Sequence, residues 1–263
     1  MRPMSCVSVA MVMFAGAPAL AGMVYINSSQ AVVSGSGLST AQAKLRFSHT
    51  NWDQSLDRGT GTSSGNFIST NIGSNSQTSG KEYHFSFSNI PGEGFIFSLT
   101  SAANTAVTTL SWGSFSSPPT GSTTLLLNGF APGGSFNGLL LEARATRANS
   151  MLTFRELAFT SQTLSIADGA FVNGSVSPID SGPGEALGSY TQRLVADSDL
   201  SLHRWTFSGL ISGTRDANSS GDEEVKFAVG TRNFTASLPP VPAPGAVALL
   251  SVAGIVALGR RVR

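Results

Sequence analysis

Apolar and polar residues alternate with a period of two along much of the middle of this chain. Tyr83, Phe85 and Phe87 alternate with His84, Ser86 and Ser88, a turn-rich stretch follows at 89–94, and Phe95, Phe97 and Leu99 resume the pattern. Successive side chains of a strand point to opposite faces, so this pattern predicts a hairpin with one aromatic, buried face. Leu141, Ala143 and Ala145 alternate with Glu142 and Arg144, and beyond a polar turn at 147–150 the pattern returns at Leu152 and Phe154. The apolar phase slips at Arg155 and Glu156 before Leu157 and Phe159, which predicts a bulge or a sheet corner. Further strands are predicted at Trp205 and Phe207 and at Val225, Phe227 and Val229. No segment of the middle region sustains a 3.6-residue period for three turns. Short strands separated by Gly, Pro and Asn turns make the expected fold all-β, a two-sheet sandwich of jelly-roll type.

One internal similarity stands out. Phe85-Ser86-Phe87-Ser88-Asn89-Ile90 resembles Trp205-Thr206-Phe207-Ser208-Gly209-Leu210. Two copies about 120 residues apart do not make a solenoid and are expected to be equivalent strand edges of one sandwich.

Both ends of the chain break the alternating pattern. Residues 1–21 have a basic residue at Arg2, an apolar stretch from 7 to 14 and small residues ending in Ala19-Leu20-Ala21, the layout of a secretory signal peptide cut after Ala21, with Ala19 as the alternative. Cys6, the only cysteine, lies inside this leader. The mature chain is therefore expected to have no disulfide, no thiolate chemistry and no cysteine-ligated zinc. At the other end a proline cluster at 239–244 leads into an apolar run at 245–259, and the chain stops on Arg260, Arg261, Val262 and Arg263. A helix of about 15 residues reaches roughly 22 Å, short of the ~30 Å hydrocarbon core but able to span it with local thinning and snorkelling arginines. The positive-inside rule would keep the arginines in the cytoplasm and the rest of the chain outside. Three segments follow: a leader at 1–21, a β-sandwich domain at 22–238 and a sorting and anchor segment at 239–263.

The order of elements in that last segment resembles the PEP-CTERM sorting signal of bacterial exported proteins. The motif reads Val241-Pro242-Ala243-Pro244, with Ala243 where that family usually has glutamate, and Arg260, Arg261 and Arg263 form the basic tail. The resemblance implies a transient membrane segment and an exosortase-like sorting protease as partner. Residues 136–144, 152–160 and 199–213 also resemble the choice-of-anchor domains found ahead of such signals, which implies a β-rich exported module and names no ligand.

Charge narrows the function classes. Charged residues make up 12% of the chain, about half the usual share, and the formal net charge is +1. Overall charge gives no electrostatic case for nucleic acid or for an acidic partner. Little chemistry is concentrated anywhere. Gly61-Thr62-Ser63-Ser64-Gly65 fits the nucleophile-elbow pattern but sits in a Ser/Gly tract, without the strand before it and the helix after it that an elbow needs. His49, His84 and His203 have no metal-ligand spacing and are expected on strand surfaces or ends. The oxygen-rich stretch at 216–224 begins like a calcium loop, but Phe227 stands where a bidentate glutamate would be, so a solvated loop is expected and no metal or cofactor is assigned.

Trp52, in the polar context Asn51-Trp52-Asp53-Gln54, and Trp112, just before a Gly/Ser/Pro stretch, are the candidate glycan contacts, since an exposed indole can stack on a sugar ring, with a partly buried packing role as the competing reading for each. The leading expectation is an exported, non-enzymatic sandwich of the cell envelope or extracellular matrix. A carbohydrate-binding module that retains exopolysaccharide is the first alternative. The second is a polysaccharide hydrolase drawing on Asp53, Asp57, Glu82, Glu93, Glu142 and Glu156.

Overall fold

A computed structural model describes residues 22–34, 41–47, 51–57, 67–74, 79–101, 106–117, 124–127, 134–147, 149–178, 188–215 and 225–239. Their regular structure is all β apart from one short 3-10 turn. Eight strands form the first sheet, in the spatial order β12 (Leu164–Gly169), β1 (Gly22–Ile26), β14 (Gly188–Ala196), β10 (Gly138–Ala145), β16 (Val225–Arg232), β3 (Gln42–Phe47), β4 (Asn51–Asp57) and β5 (Phe67–Ser74). Seven form the second, in the order β13 (Gly174–Val176), β11 (Met151–Ser161), β15 (Trp205–Thr214), β6 (Glu82–Ile90), β7 (Gly94–Ser101), β8 (Ala106–Gly113) and β9 (Thr124–Leu127). A two-stranded ribbon pairs β17 (Thr235–Ser237) with β2 (Val32–Ser34).

Alternation decides which residues enter the core, because each strand turns one set of side chains inward. Phe85 of the second sheet meets Phe227 of the first with ring centroids 4.9 Å apart, and Phe154 reaches the same ring at 6.3 Å. One continuous hydrophobic cluster thus joins the two sheets, with Phe87, Phe95, Phe136 and Trp205 packed edge and face at one end. A polar link crosses the same interior. Gln54 on β4 is fully buried, donates from Nε2 to the Phe97 carbonyl on β7 at 2.7 Å, and accepts from the Thr108 hydroxyl on β8.

The expected hairpin is present as β6 and β7, with Phe87 opposite Phe97. The turn expected at 147–150 does more than reverse the chain. It carries it from β10 in the first sheet to β11 in the second, closed by the Ser150 amide donating to the Arg147 carbonyl at 3.1 Å. The expected bulge is also found: register against β15 slips between Arg155 and Ala158. Glu156 takes a left-handed φ of +55° there, and its amide donates to Asn173 Oδ1 at 2.8 Å, so the kink leaves no loose backbone donor at that residue.

The two similar segments are not strand edges. They are neighbouring antiparallel strands inside the second sheet, with Phe207 opposite Phe87, Thr206 opposite Ser88 and Ser208 opposite Ser86. Each copy places its aromatics inward and its hydroxyls outward, so pairing the copies extends one aromatic face and one hydroxyl face. Beside them, Asp199 caps the 3-10 turn Leu200–Leu202, accepting from the Ser201 amide at 2.9 Å. Asn89 Nδ2 donates to the His203 carbonyl at 2.9 Å, and Trp205 Nε1 to the Leu200 carbonyl at 3.0 Å. These bonds satisfy buried polar groups where the chain leaves the first sheet for the second.

The ribbon adds a partial third layer. Leu140 and Val195 point away from the main core, and Phe234 covers them with Ala236 and Leu238 alongside. Gly138 makes this seat: a Cβ there would lie 2.4 Å from the Phe234 ring.

Candidate binding face

The two outer faces of the sandwich differ in chemistry. That of the second sheet is lined by hydroxyls, with Ser88 bonded to Thr206 at 2.9 Å and Ser98 to Thr109 at 3.2 Å across neighbouring strands. The outer face of the first sheet carries charge. Strands β14, β10 and β16 point Arg193, Glu142, Arg144 and Lys226 outward, three cations against one carboxylate, while Arg232 on the same side is buried. Register places three cations side by side across three strands: Arg144 lies opposite Lys226, and Lys226 opposite Arg46. Asp53 ends this row and bridges Arg46 at 2.6 Å.

Glu142 leans toward Arg232, 3.5 Å away, and is itself about half exposed. Burial pushes the Arg232 guanidinium below its ordinary value, while the charges of Glu142 and Asp57 pull it back up. Asp57 is nearly buried and bridges Lys44 at 2.6 Å.

Two shallow depressions lie along β14 on this side and share Thr191. The larger, about 380 Å³, is lined by Tyr25, Asn27, Ser28, Thr191 and Arg193 among others. The smaller, about 280 Å³, is lined by Glu142, Arg144, Ser189, Thr191 and Lys226. Asn27 fixes the first of them. It sits at φ +47°, exchanges backbone hydrogen bonds with Arg193 through its own amide and its side-chain oxygen, both at 3.0 Å, and donates to Gln192 Oε1 at 2.7 Å. Gln192 in turn exchanges two 2.7 Å bonds with the backbone of Val172. The floor is held by a closed polar network, while Ser189, Thr191 and Arg193 face solvent.

The two candidate glycan contacts are corrected. Trp52 and Trp112 are each 1% exposed, both belong to the hydrophobic core, and Trp52 packs on Tyr83 at 5.9 Å. A stacking role needs an open ring face, and neither indole has one. Polar sequence neighbours misled here because alternation turns Asp53 out and Trp52 in.

The candidate carboxylates are dispersed. Asp53 and Asp57 pair with Arg46 and Lys44, Glu142 approaches Arg232, and Glu93 accepts from the Ser116 hydroxyl at 3.4 Å. Glu82 and Glu156 are brought together, both on Arg155, with Glu82 in a two-pronged contact of 2.8 and 2.9 Å. His84 stands exposed on β6, and His203 follows the 3-10 turn, its Nδ1 bonded to the Thr163 hydroxyl at 2.8 Å. The leader at 1–21, His49, the motif at 61–65, the oxygen-rich stretch at 216–224, the sorting motif Val241, Pro242, Ala243 and Pro244, and the tail residues Arg260, Arg261 and Arg263 lie outside the described residues.

The site therefore defines a two-sheet β protein with one hydroxyl-bearing and one cationic outer face. No protein-family model matches the chain, and no curated protein or solved structure is significantly similar to it.

Proposed function

We propose that this chain is an exported, surface-sorted and non-enzymatic sandwich of jelly-roll type, working in the cell envelope or extracellular matrix after processing by an exosortase-like protease. One observation carries the reading. The described hydrophobic core runs from Val24 to Phe234, close to both expected cut points. The two ends of that span are also fastened. The Met23 amide donates to Asp197 Oδ1 at 2.8 Å, and the Phe234 amide to Asn137 Oδ1 at the same distance. A domain tied down at both margins can lose what lies outside them without losing its core.

The test is intact-mass spectrometry of the protein recovered from its own cells, divided into membrane, envelope and medium. The expected species starts at Gly22 and ends between residues 239 and 244, with or without added glycan. A membrane-bound chain that retains 245–263 would overturn the sorting step and leave the tail as a lasting anchor.

A further inference from the structure

We infer that the outer face of the first sheet, along β14, is a binding site for an acidic polysaccharide. The occupant, a chain of sugar rings bearing carboxylates, is chosen partly because the proposed export places the domain among glycans.

The charge pattern is the first argument. Like charges directly opposite each other on neighbouring strands destabilise a sheet. This chain is poor in charge, yet it sets Arg144, Lys226 and Arg46 in one row, which Asp53 closes at one end by bridging Arg46. Neighbouring strands lie about 4.8 Å apart, so the row extends roughly 10 Å across the sheet. Such a line of cations complements an extended chain with regularly spaced negative groups. Arg193 extends the positive field along β14, two residues from Thr191.

The second argument concerns what surrounds the cations. Glu142 stands opposite Thr191 on one side and Ala228 on the other, next to the row rather than remote from it. A half-exposed carboxylate repels a phosphate-dense chain, but it accepts hydrogen bonds from sugar hydroxyls. Ser189, Thr191 and the edge of Tyr25 add further groups that suit a hydroxylated ligand, and guanidinium groups bind carboxylates in two-pronged fashion. The larger depression, about 380 Å³, falls within the roughly 300–1,000 Å³ of small-ligand sites. A uronate-bearing glycan supplies both halves of this pattern in each repeat, whereas nucleic acid or an anionic lipid surface supplies chiefly the negative charge.

The experiment uses the full-length chain purified in mild detergent, with polygalacturonate as probe and dextran as the neutral control. Affinity electrophoresis at low salt is expected to show retardation by polygalacturonate but not by dextran, weakening as salt rises. Arg193→Gln and Lys226→Gln should each weaken retardation roughly two- to fivefold, with unchanged melting temperature. Arg193 is exposed, so its variant keeps the test decisive even if changes at the partly buried Arg144 disturb the fold. Absence of retardation would overturn the proposal, as would wild-type affinity in the well-folded variants. Tighter binding to oligothymidylate, or to micelles doped with phosphatidylglycerol, would overturn it in favour of a general polyanion site. Because binding is read on purified protein, these outcomes are independent of whether the sorting step occurs in cells.

Discussion

The side chain of Asn137 clasps the backbone of Phe234, accepting from its amide at 2.8 Å and donating to its carbonyl at 2.9 Å. This pair fastens the last described strand to the outer face of the first sheet, where the Phe234 ring covers Leu140 and Val195. Asn137→Ala should lose both bonds and about 1–3 kcal/mol of stability. The effect should be local. Hydrogen exchange is expected to accelerate over residues 234–238 while β6 and β15 keep their protection; uniform acceleration across the sandwich would refute a local clasp.

Trp52 and Trp112 are packing residues, and their truncation should read as lost stability. Either Trp→Ala change is expected to cost about 3–5 kcal/mol, visible as a lower denaturation midpoint in urea. Polygalacturonate retardation of whatever folded protein remains should be unaltered. A well-folded Trp52→Ala protein that no longer bound the glycan would reverse the assignment of that residue to the core.

Gln54 is the buried polar residue that joins the two sheets. Replacing it with alanine removes its bonds to the Phe97 carbonyl and the Thr108 hydroxyl and leaves a cavity among fully buried neighbours. A loss of about 2–4 kcal/mol is expected. Gln54→Met fills the space but still strands the Thr108 hydroxyl, so it should recover only part of that loss, as thermal melts of the three proteins would show.

Alkaline pH should weaken the fold through Tyr83. Burial raises its phenol above the ordinary value of 10.0, so the folded state holds the proton after the unfolded chain has released it. That contribution is complete below pH 10 and declines as pH climbs through the raised folded value. Urea titrations between pH 9 and 11 should show stability falling for the wild type and a flatter curve for Tyr83→Phe. Parallel curves would assign the alkaline loss to other groups.

Much of the architecture was legible because burial leaves a mark with a period of two. The strands around Phe85, Phe97, Leu141, Phe207 and Phe227 were each visible as inward aromatic or aliphatic residues alternating with polar ones, and the slipped phase at Arg155 and Glu156 marked a real bulge. Sheet membership was not visible. Leu141 and Phe154 flank the same short turn, yet they belong to opposite sheets, because a turn's residues do not record whether the chain pairs with the preceding strand or crosses the core. The ribbon of β2 and β17 was missed for a related reason: three-residue strands are too short to show a period.

The candidate site follows the same division. Alternation alone places Arg144, Lys226 and Arg46 on outward positions. Their meeting in one row depends on the register of β10, β16 and β3, segments separated by some 80 to 180 residues of chain, and hydrogen-bonded pairing is settled by the packing of whole sheets. Sequence likewise left Trp52 and Trp112 open as surface rings, and only the tertiary structure closed a core over them. What the sequence determined by itself is the local alphabet: all-β structure, a chain poor in charge, an inward aromatic set and an outward polar one. What the tertiary structure decided is which outward residues become neighbours. Alternation is a property of one strand, whereas a binding face is a property of several.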